Sequence, residues 1–401
     1  MSDRVIVHVG APKTGTSFVQ SVLFDNRVRL ESEGLRYSAE RFDAHFLAAL
    51  DLLQLPWGGL EKEAVGAWDA LAAEVRRPGP LAVISHEILA TASRAQVARA
   101  LESFGDAEVH VVYSARDLVR QIPAEWQENI KHRRRLSYGQ FLARIQDPAR
   151  DSRIASWFWG VQEVPDVLAR WGDTLPPERV HLVTVPRPGA PRELLWERFA
   201  GVLGIDPTVY APAATRVNAS LGVPESGLLR RFNLAALEHV PPDDYRDLVR
   251  ELMVHRTLAE RDSPRLGLPA DVHTWASGLC EAWIEEIGTR GYDVVGDLAE
   301  LRPDPPEATP YADPDAADPE AMVDAALEAM VALVTEGVRL RRVEAGLQAE
   351  VAGLHAQLER AYLRPTYRLR ERLVRRAADN PTLGRAYAAY RRARGRSSPD
   401  A

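Results

Sequence analysis

The residues whose types and spacing suggest chemistry lie in the first twenty positions of the chain. Val5–Val9 is apolar and mostly β-branched, which predicts a short buried strand. The glycines and the proline of Gly10–Gly15 predict a turn after it, and Thr14, Thr16 and Ser17 can cap the helix expected to follow. A strand, a glycine-rich turn and a helix N-terminus together favour phosphate binding, because the first N–H groups of the helix lack partners and its dipole is positive there.

Lys13 adds a positive charge inside this turn. The P-loop of nucleotide hydrolases follows the pattern Gly-x-x-x-x-Gly-Lys-Ser/Thr. Gly10 and Gly15 have that spacing, but Thr16 and Ser17 stand where the P-loop has its lysine and hydroxyl residue. The lysine lies two residues before the second glycine instead, so the usual P-loop matches only in part.

The displaced lysine resembles the 5′-phosphosulfate loop of the sulfotransferase family, whose pattern is roughly Pro-Lys-Thr/Ser-Gly-Thr-Thr/Ser-x-Leu/Val-Gln. Residues 12–20 read Pro-Lys-Thr-Gly-Thr-Ser-Phe-Val-Gln. The resemblance implies a bacterial-type sulfotransferase that moves a sulfuryl group from 3′-phosphoadenosine-5′-phosphosulfate (PAPS) to a hydroxyl or amine of a carbohydrate, glycolipid or small-molecule acceptor. It assigns donor binding to the following residues of the turn: Gly10, Pro12, Lys13, Thr14, Gly15, Thr16 and Ser17.

Arg116 is the second predicted donor-binding residue. It follows the predicted strand Val109–Ser114, and an arginine at such a strand end can hold a phosphate with two parallel hydrogen bonds. In sulfotransferases this junction resembles the 3′-phosphate site, where a serine follows the arginine by eight residues. That position is Ala124 here. Arg216, beside the Asn-Ala-Ser element that starts at Asn218, is a candidate to supply the missing contact.

Sulfuryl transfer also needs charge stabilisation and a base for the proton of the acceptor. By analogy with phosphoryl transfer, Lys13 would stabilise the charge on the bridging oxygen and on the transferred group. The base candidates are Glu87 and His86, which follow the predicted strand Leu81–Ser85, and His45 on the helix before it. Family members use either a glutamate or a histidine. Glu87 ranks first, because a carboxyl group in a closed cleft is expected to have a raised pKa. His86 also suits a cap or the core, and His45 suits packing.

Two other functions remain open. A P-loop-type small-molecule kinase would need a lysine directly after Gly15 and an acidic residue that holds magnesium. A non-catalytic nucleotide-binding module at the membrane would need neither. The sequence contains no clustered cysteine and histidine ligands, so no metal is expected.

The strands predicted so far, together with Val180–Val185, are separated by helices, which predicts an α/β domain with a parallel sheet flanked by helices. Ligands bind at the carboxyl ends of the strands in such sheets. The turn after Val9, the pair His86–Glu87 and Arg116 all follow strands, so we expect them to meet at one edge. The resemblance extends this domain over residues 1–300 as a P-loop-like sulfotransferase fold.

The composition suits one large core with an appendage: the chain has 401 residues, of which 46% are hydrophobic. The single cysteine, Cys280, excludes a disulfide framework and favours a reducing cytoplasm. No apolar run is long enough to span a bilayer. Because the chain enters a strand at once, no signal peptide is expected.

The C-terminal quarter predicts three further segments. Residues 301–319 are rich in proline, aspartate and alanine and predict a linker. Residues 320–361 predict a short coiled coil, because Leu340, Leu347, Leu354 and Ala361 recur every seven residues; it could form a homodimer. Residues 362–401 form an arginine-rich amphipathic tail. Its charge favours an anionic membrane surface at the inner membrane face, and no nucleic acid is expected because the rest of the chain is acidic.

Overall fold

The computed structural model describes residues 2–191, 193–210, 220–236, 238–306 and 311–363, together with residues 365, 367, 369, 371–372, 376, 382, 385–386 and 389. The chain divides into two compact units, Met1–Ala329 and Met330–Ala401. We describe each unit by itself.

The first unit is built on a six-stranded, all-parallel sheet with the strand order β2-β3-β1-β4-β5-β6. The strands are β1 (Ser2–Gly10), β2 (Leu35–Arg36), β3 (Gly79–Ser85), β4 (Glu108–Ala115), β5 (Val180–Thr184) and β6 (Asp293–Val295). The predicted α/β class with a helix-flanked parallel sheet is confirmed. The four predicted strands are present: β1, β3 and β4 are two to four residues longer than predicted, and β5 ends one residue earlier.

The sequence did not predict the two edge strands. β2 has two residues and β6 has three, which is too short for a periodic pattern. Each pairs with one neighbour only, β2 with β3 and β6 with β5. Their extended conformation therefore depends on tertiary pairing more than on local sequence.

Helices cover both faces of the sheet. The longer helices of the first unit are α1 (Thr16–Asp25), α2 (Arg27–Ser32), α3 (Ala44–Leu53), α4 (Ala67–Val75), α5 (Arg94–Glu102), α6 (Leu118–Lys131), α7 (Tyr138–Gln146), α8 (Arg153–Gln162), α9 (Val164–Gly172), α10 (Leu194–Leu203), α11 (Val223–Ala236) and α13 (Ala270–Gly288). The short α12 (Pro242–Asp244) leads into a π-helix over Tyr245–His255, and α14 spans Pro319–Leu363.

The alternation of side chains along β1 separates two cores. Val5, Val7 and Val9 face the larger core, which includes the apolar side of α6. Ile6 faces the smaller core together with residues of α1 and α10. Thus α1 and α6 lie on opposite faces of the sheet, and both helices begin at its carboxyl edge.

The connections place a ligand crevice between β1 and β4. These strands are neighbours, but the chain leaves β1 towards β2 at one edge of the sheet and leaves β4 towards β5 at the other. In open parallel sheets, the crevice outside the carboxyl ends at such a switch point is the usual ligand site. The turn that contains Lys13 and the junction that contains Arg116 flank this point.

Part of the predicted linker packs against the first unit. Asp315 accepts hydrogen bonds from the backbone N–H groups of Tyr138 (3.0 Å) and Gly139 (2.9 Å) and so caps α7. Pro314 and Ala317 are buried. Residues 307–310 of this segment lie outside the described residues.

In the second unit, the described helical residues carry an exposed apolar stripe. The predicted heptad positions Leu340, Leu347 and Leu354 are 45%, 57% and 57% exposed. The predicted arginine-rich tail falls largely outside the described residues. No helix within the described parts of the chain is long and apolar enough to cross a membrane.

Candidate functional site

The turn between β1 and α1 has a conformation that its glycines permit. Gly10 and Gly15 have φ angles of 140° and 87°. A Cβ atom on Gly15 would lie 2.5 Å from Cδ2 of Leu195, so a larger residue there would displace that side chain as well as strain the backbone. Lys13 has a φ of 63°, an uncommon value for a residue with a side chain. Such backbone strain concentrates at ligand-binding sites.

The start of α1 differs from the prediction. Gly15 is the N-cap, and no side chain accepts a capping hydrogen bond. Thr14 does not cap the helix; its hydroxyl instead donates to the carbonyl oxygen of Ala11 (2.6 Å) within the turn. The predicted capping by Thr14, Thr16 or Ser17 is therefore wrong, and the end of the helix is left open.

The open helix end leaves a set of backbone donors unused. Within the described parts of the chain, the N–H groups of residues 13–17 make no hydrogen bond to a backbone acceptor. Successive free N–H groups in a turn with positive φ form a concavity that binds anions, and the dipole of α1 adds to their effect. The turn can therefore cradle a phosphate or sulfate group.

Lys13 lies at this concavity and reaches across the crevice to α6. Its Nζ donates to Oε2 of Glu128 at 2.8 Å, and both side chains are partly exposed. Burial alone would raise the pKa of Glu128, but the hydrogen bond from His132 and the charge of Lys13 outweigh burial and hold that pKa well below its ordinary value. Glu128 therefore stays ionised, and an incoming anion must share Lys13 with it.

Arg116 lies just beyond β4, as predicted. Its Nε donates to Oε1 of Gln121 at 2.8 Å, and its Nη2 donates to the carbonyl oxygen of Arg120 at 3.1 Å. Burial and the charge of Arg120 lower the pKa of Arg116 to about 10, so it remains a cation at neutral pH. Within the described parts of the chain, its other N–H groups make no hydrogen bond and are available to an anion. Ala124 lies one turn further along α6 and supplies no hydroxyl group.

A chain of amide side chains connects the turn with α6. Gln121 donates both to the carbonyl oxygen of Pro12 and to Oε1 of Gln162 (2.9 Å). Gln162, on α8, donates to Oε1 of Glu125 at 2.8 Å. The Pro12 end of the lysine turn is thus fixed to the same helix that follows Arg116.

Glu125 is a buried carboxyl group at this edge whose pKa is raised. Burial, with the nearby charge of Glu128, raises its pKa to about 7, although Lys13 and the hydrogen bond from Gln162 oppose the shift. A pKa near the working pH is the property expected of a general base. Glu125 was not among the site residues predicted from the sequence.

Glu87 lies near the turn but does not have the expected acidity. Its backbone carbonyl oxygen would be 3.1 Å from a Cβ atom on Gly10, and its Oε2 accepts from Nε2 of Gln20 at 3.0 Å. Burial alone would raise the pKa of Glu87, but His86, a backbone N–H group, Gln20 and His8 together lower it. The predicted raised pKa is wrong, because these neighbours stabilise the carboxylate more than burial destabilises it.

His86 and His45 are engaged by the backbone. His86 caps the short helix that follows it, where Nδ1 accepts from the N–H of Ile88 at 3.3 Å. His45 donates from Nε2 to the carbonyl oxygen of Ser38 (2.9 Å), and its Nδ1 accepts from the N–H of Ser85 (3.1 Å). Burial lowers the pKa of His45 to about 4, so it is neutral. Both of its ring nitrogens are occupied, which makes it a structural link between the β2–α3 connection and β3.

The structure therefore brings the predicted turn, Arg116 and Glu87 to one edge of the sheet. Arg216 lies outside the described residues. The residues that sequence reasoning missed are on α6, where Gln121, Glu125 and Glu128 recur at helical spacing. Because α6 begins at the same strand end as Arg116, this polar face could have been recognised as a wall of the site.

No family model, curated protein or solved structure matches the chain. The function is therefore argued from the geometry of the site and from the motif in the turn. Within the described residues, no cluster of histidine, cysteine, aspartate or glutamate side chains is arranged to hold a metal ion.

Proposed function

We propose that the protein is a PAPS-dependent sulfotransferase of P-loop-like fold. The observation that carries the proposal is the turn itself, which lies at the switch point of a parallel sheet. It contains Lys13 and, at residues 13–17, N–H groups that make no backbone hydrogen bond within the described residues. This cradle suits the 5′-phosphosulfate group. Arg116, on the adjacent strand end, suits the 3′-phosphate group.

In this proposal, each residue at the edge has one task. The N–H groups and Lys13 bind the sulfuryl group and stabilise the charge that develops on its oxygen atoms during in-line transfer. The site supplies little covalent chemistry of its own, so most of the rate enhancement comes from positioning and charge. Thr14 and the glycines keep the cradle in shape.

We assign the base to Glu125 in preference to Glu87. The pKa of Glu125 is raised to about 7 and its carboxyl group is close enough to Lys13 for their charges to interact, whereas the pKa of Glu87 is lowered. A stronger base removes the proton of a hydroxyl group more readily. His86 and His45 are weaker candidates, because their Nδ1 atoms already accept backbone hydrogen bonds.

The acceptor side has one feature suited to a sugar or a ring. Phe46, Trp57 and Trp157 form a row of partly buried aromatic side chains that begins beside His86, with neighbouring ring centroids 5.0 to 6.0 Å apart. Aromatic faces bind the apolar faces of carbohydrate and small-molecule rings. Trp126 and Trp159 are instead buried in the core.

The exposed stripe of the second unit suits a coiled coil with a second copy of the chain. Leucines at every seventh position are buried only when a partner helix packs against them, and in the single chain they are exposed. We expect a dimer by light scattering and a monomer when Leu347 and Leu354 are both replaced by asparagine.

The test of the donor is a calorimetric titration with 3′-phosphoadenosine-5′-phosphate (PAP), the spent donor, beside ATP with magnesium. We expect tight, metal-independent binding of PAP that weakens in Lys13→Ala and in Arg116→Ala. A preference for ATP with magnesium would instead favour the kinase. If neither nucleotide binds, the sulfotransferase proposal is refuted, and the alternative of a nucleotide-binding module also loses its support.

A further inference from the structure

Two cations beside Glu128, Lys131 and Arg250, have side-chain nitrogen atoms without a hydrogen-bond partner among the described residues. Lys131 is only 5% exposed, and no hydrogen bond from its Nζ is present within the described parts of the chain. Nη2 of Arg250 lies 3.7 Å from Oε1 of Glu128, beyond hydrogen-bond length, and the Nε of Arg250 is buried without a partner in those parts. A polar atom that is shielded from water and lacks a hydrogen-bond partner is costly, and a bound anion would supply such a partner.

The local charges do not balance. Lys13, Lys131 and Arg250 surround Glu128, which already accepts from Lys13 at 2.8 Å and from His132 at 3.0 Å. Burial and the charges of Lys13 and Arg250 lower the pKa of Lys131 to about 8, although Glu128 opposes the shift. Glu128 therefore faces three cations, and the nearby Glu125 is only partly ionised at neutral pH because its pKa is raised to about 7. An anion bound beside Lys131 would restore the balance.

The element that carries Arg250 is unusual. Tyr245–His255 is a π-helix, a conformation that is rare and frequent at functional sites. It is fixed against α6, because Tyr245 donates to Asn233 (2.6 Å) and Asn233 donates to the carbonyl oxygen of Ile130 (2.7 Å). Its other end brings His255 towards Lys131, and burial together with Lys131 lowers the pKa of His255. The π-helix thus positions Arg250, the second positive group, beside Glu128.

Lys131 lies further along α6 than the points where Arg116 and Lys13 meet this helix, and the proposed function assigns those two cations to the donor. The guanidinium group of Arg116 lies at the level of Gln121. Lys13 meets the helix at Glu128, about 10 Å further along the axis at 1.5 Å per residue. Lys131 lies one turn, or about 5 Å, beyond Glu128. If Arg116 marks the 3′-phosphate end of the donor and Lys13 marks the sulfuryl group, Lys131 and Arg250 lie on the far, acceptor side.

We propose that Lys131 and Arg250 form a second anion subsite, which recognises a sulfate, phosphate or carboxylate group that the acceptor already carries. The subsite lies about one helical turn from the transferred group, so the anionic group would be close to the reacting hydroxyl. The assignment to an acceptor rests on the proposed sulfotransferase function. The anion subsite itself rests on Lys131, whose Nζ makes no hydrogen bond within the described residues, and on Arg250, whose Nε is buried without a partner there.

The experiment titrates inorganic sulfate into the full-length protein saturated with PAP and follows the heat of binding. We expect sulfate to bind, with the affinity lowered at least tenfold in Lys131→Met and in Arg250→Gln. The affinity for PAP should stay within twofold in both variants. Arg246→Gln is the matched control, because Arg246 is exposed on the same π-helix and pairs with Asp247; it should leave both affinities unchanged.

The variants also report on folding. Lys131→Met removes a buried, unpartnered charge, so its melting temperature should be no lower than that of the wild type. Lys131→Arg keeps the charge and should retain sulfate binding better than Lys131→Met. A sulfate affinity that neither Lys131→Met nor Arg250→Gln changes would overturn the subsite.

Two further outcomes separate the two proposals. A parallel loss of PAP affinity in Lys131→Met and Arg250→Gln would make these residues part of the donor site and would overturn the inference. If the wild type does not bind PAP but binds sulfate in a way that depends on Lys131 and Arg250, the anion subsite stands. In that case the sulfotransferase function fails, and with it the assignment to an acceptor.

Discussion

The two ends of the same parallel strands treat their charged residues differently. At the amino ends, His181 hydrogen-bonds to Asp293 (2.6 Å) and to His110 (2.8 Å), and His110 hydrogen-bonds in turn to Glu108 (2.9 Å). Arg4 and Arg179 pair with Glu108 at 3.0 and 3.2 Å. Every member of this network has a partner within the protein.

At the carboxyl ends, several polar and charged groups lack a hydrogen-bond partner among the described residues. The N–H groups of residues 13–17 have no backbone acceptor among the described residues, Lys131 has no hydrogen-bond partner there, and Glu125 has a raised pKa. β4 joins the two ends, with His110 near its start and Arg116 just beyond its end. The amino-end network satisfies its own charges and so favours stability. In the proposed function, the open groups at the carboxyl end bind the donor, at a cost in stability.

The largest expected effect is on catalysis by Lys13. Lys13→Met should lower the rate of sulfuryl transfer from labelled PAPS by about 10³-fold. The substitution removes the positive charge that stabilises the sulfuryl group during transfer. Arg4→Met, at the amino end, removes a cation of the same charge and should leave the rate within twofold. A similar loss in both variants would erase the difference between the two ends.

Glu125→Gln should lower the rate by about 10²-fold, as expected for the loss of a general base. In the wild type, kcat should rise with pH through about 7, because Glu125 must lose its proton to act. If Glu87 is the base, the rate should already be independent of pH above about 5, since its pKa is lowered from an ordinary value of 4.5. The pH profiles of the wild type, Glu125→Gln and Glu87→Gln decide between the two carboxylates.

Arg116→Lys should weaken PAP binding by about 10- to 100-fold, because an ammonium group cannot make the two parallel hydrogen bonds of a guanidinium group. Adenosine 5′-phosphate, which is PAP without its 3′-phosphate group, should bind the wild type and the variant equally well. Equal losses for both nucleotides would place Arg116 away from the 3′-phosphate. Calorimetry with the two nucleotides measures this difference.

The raised pKa of Glu125 also predicts the direction of a stability change. Between pH 4.5, its ordinary pKa, and about pH 7, the folded protein holds a proton that the unfolded chain has lost. The free energy of unfolding should therefore fall as pH rises across this window, by up to about 3 kcal/mol from this group. Glu125→Gln should remove that contribution and be more stable than the wild type at pH 8. Urea unfolding at pH 5 and pH 8 tests the sign, and a wild-type advantage at pH 8 would contradict it.

The smallest expected effect is at the amino end. His110→Gln should lower the free energy of unfolding by about 1 kcal/mol, because it breaks a hydrogen-bonded chain that is partly exposed. PAP affinity should not change. A loss of PAP affinity in His110→Gln would mean that the two ends are coupled through β4.

The sequence predicted the architecture because its strong signals are local. The apolar runs that form β1, β3, β4 and β5 are long enough to predict strands without any tertiary information. The turn after Val9 contains a recognisable motif of its own. The edge strands β2 and β6 are selected by pairing with a neighbouring strand, so their two or three residues carry no signal.

The chemistry of the site was predicted less well, because acidity depends on surroundings that a sequence does not state. A cleft carboxylate was expected to have a raised pKa; Glu87 does not, since Gln20 and His86 stabilise its charge. Glu125 does, because it is buried and lies near Glu128. The capping of α1 was also mispredicted: three hydroxyl residues were available, but the glycine turn positions none of them to accept from the helix.

The most direct measurement for the account is the change in melting temperature that PAP produces in wild type, Lys13→Met, Arg116→Lys and His110→Gln. A ligand that binds only the folded state at 100 times its Kd stabilises that state by about 2.7 kcal/mol. We predict a clear increase in wild type and in His110→Gln, and a much smaller increase in the two carboxyl-end variants. No increase in wild type, or the same increase in all four proteins, would contradict the claim that the open carboxyl edge binds the donor.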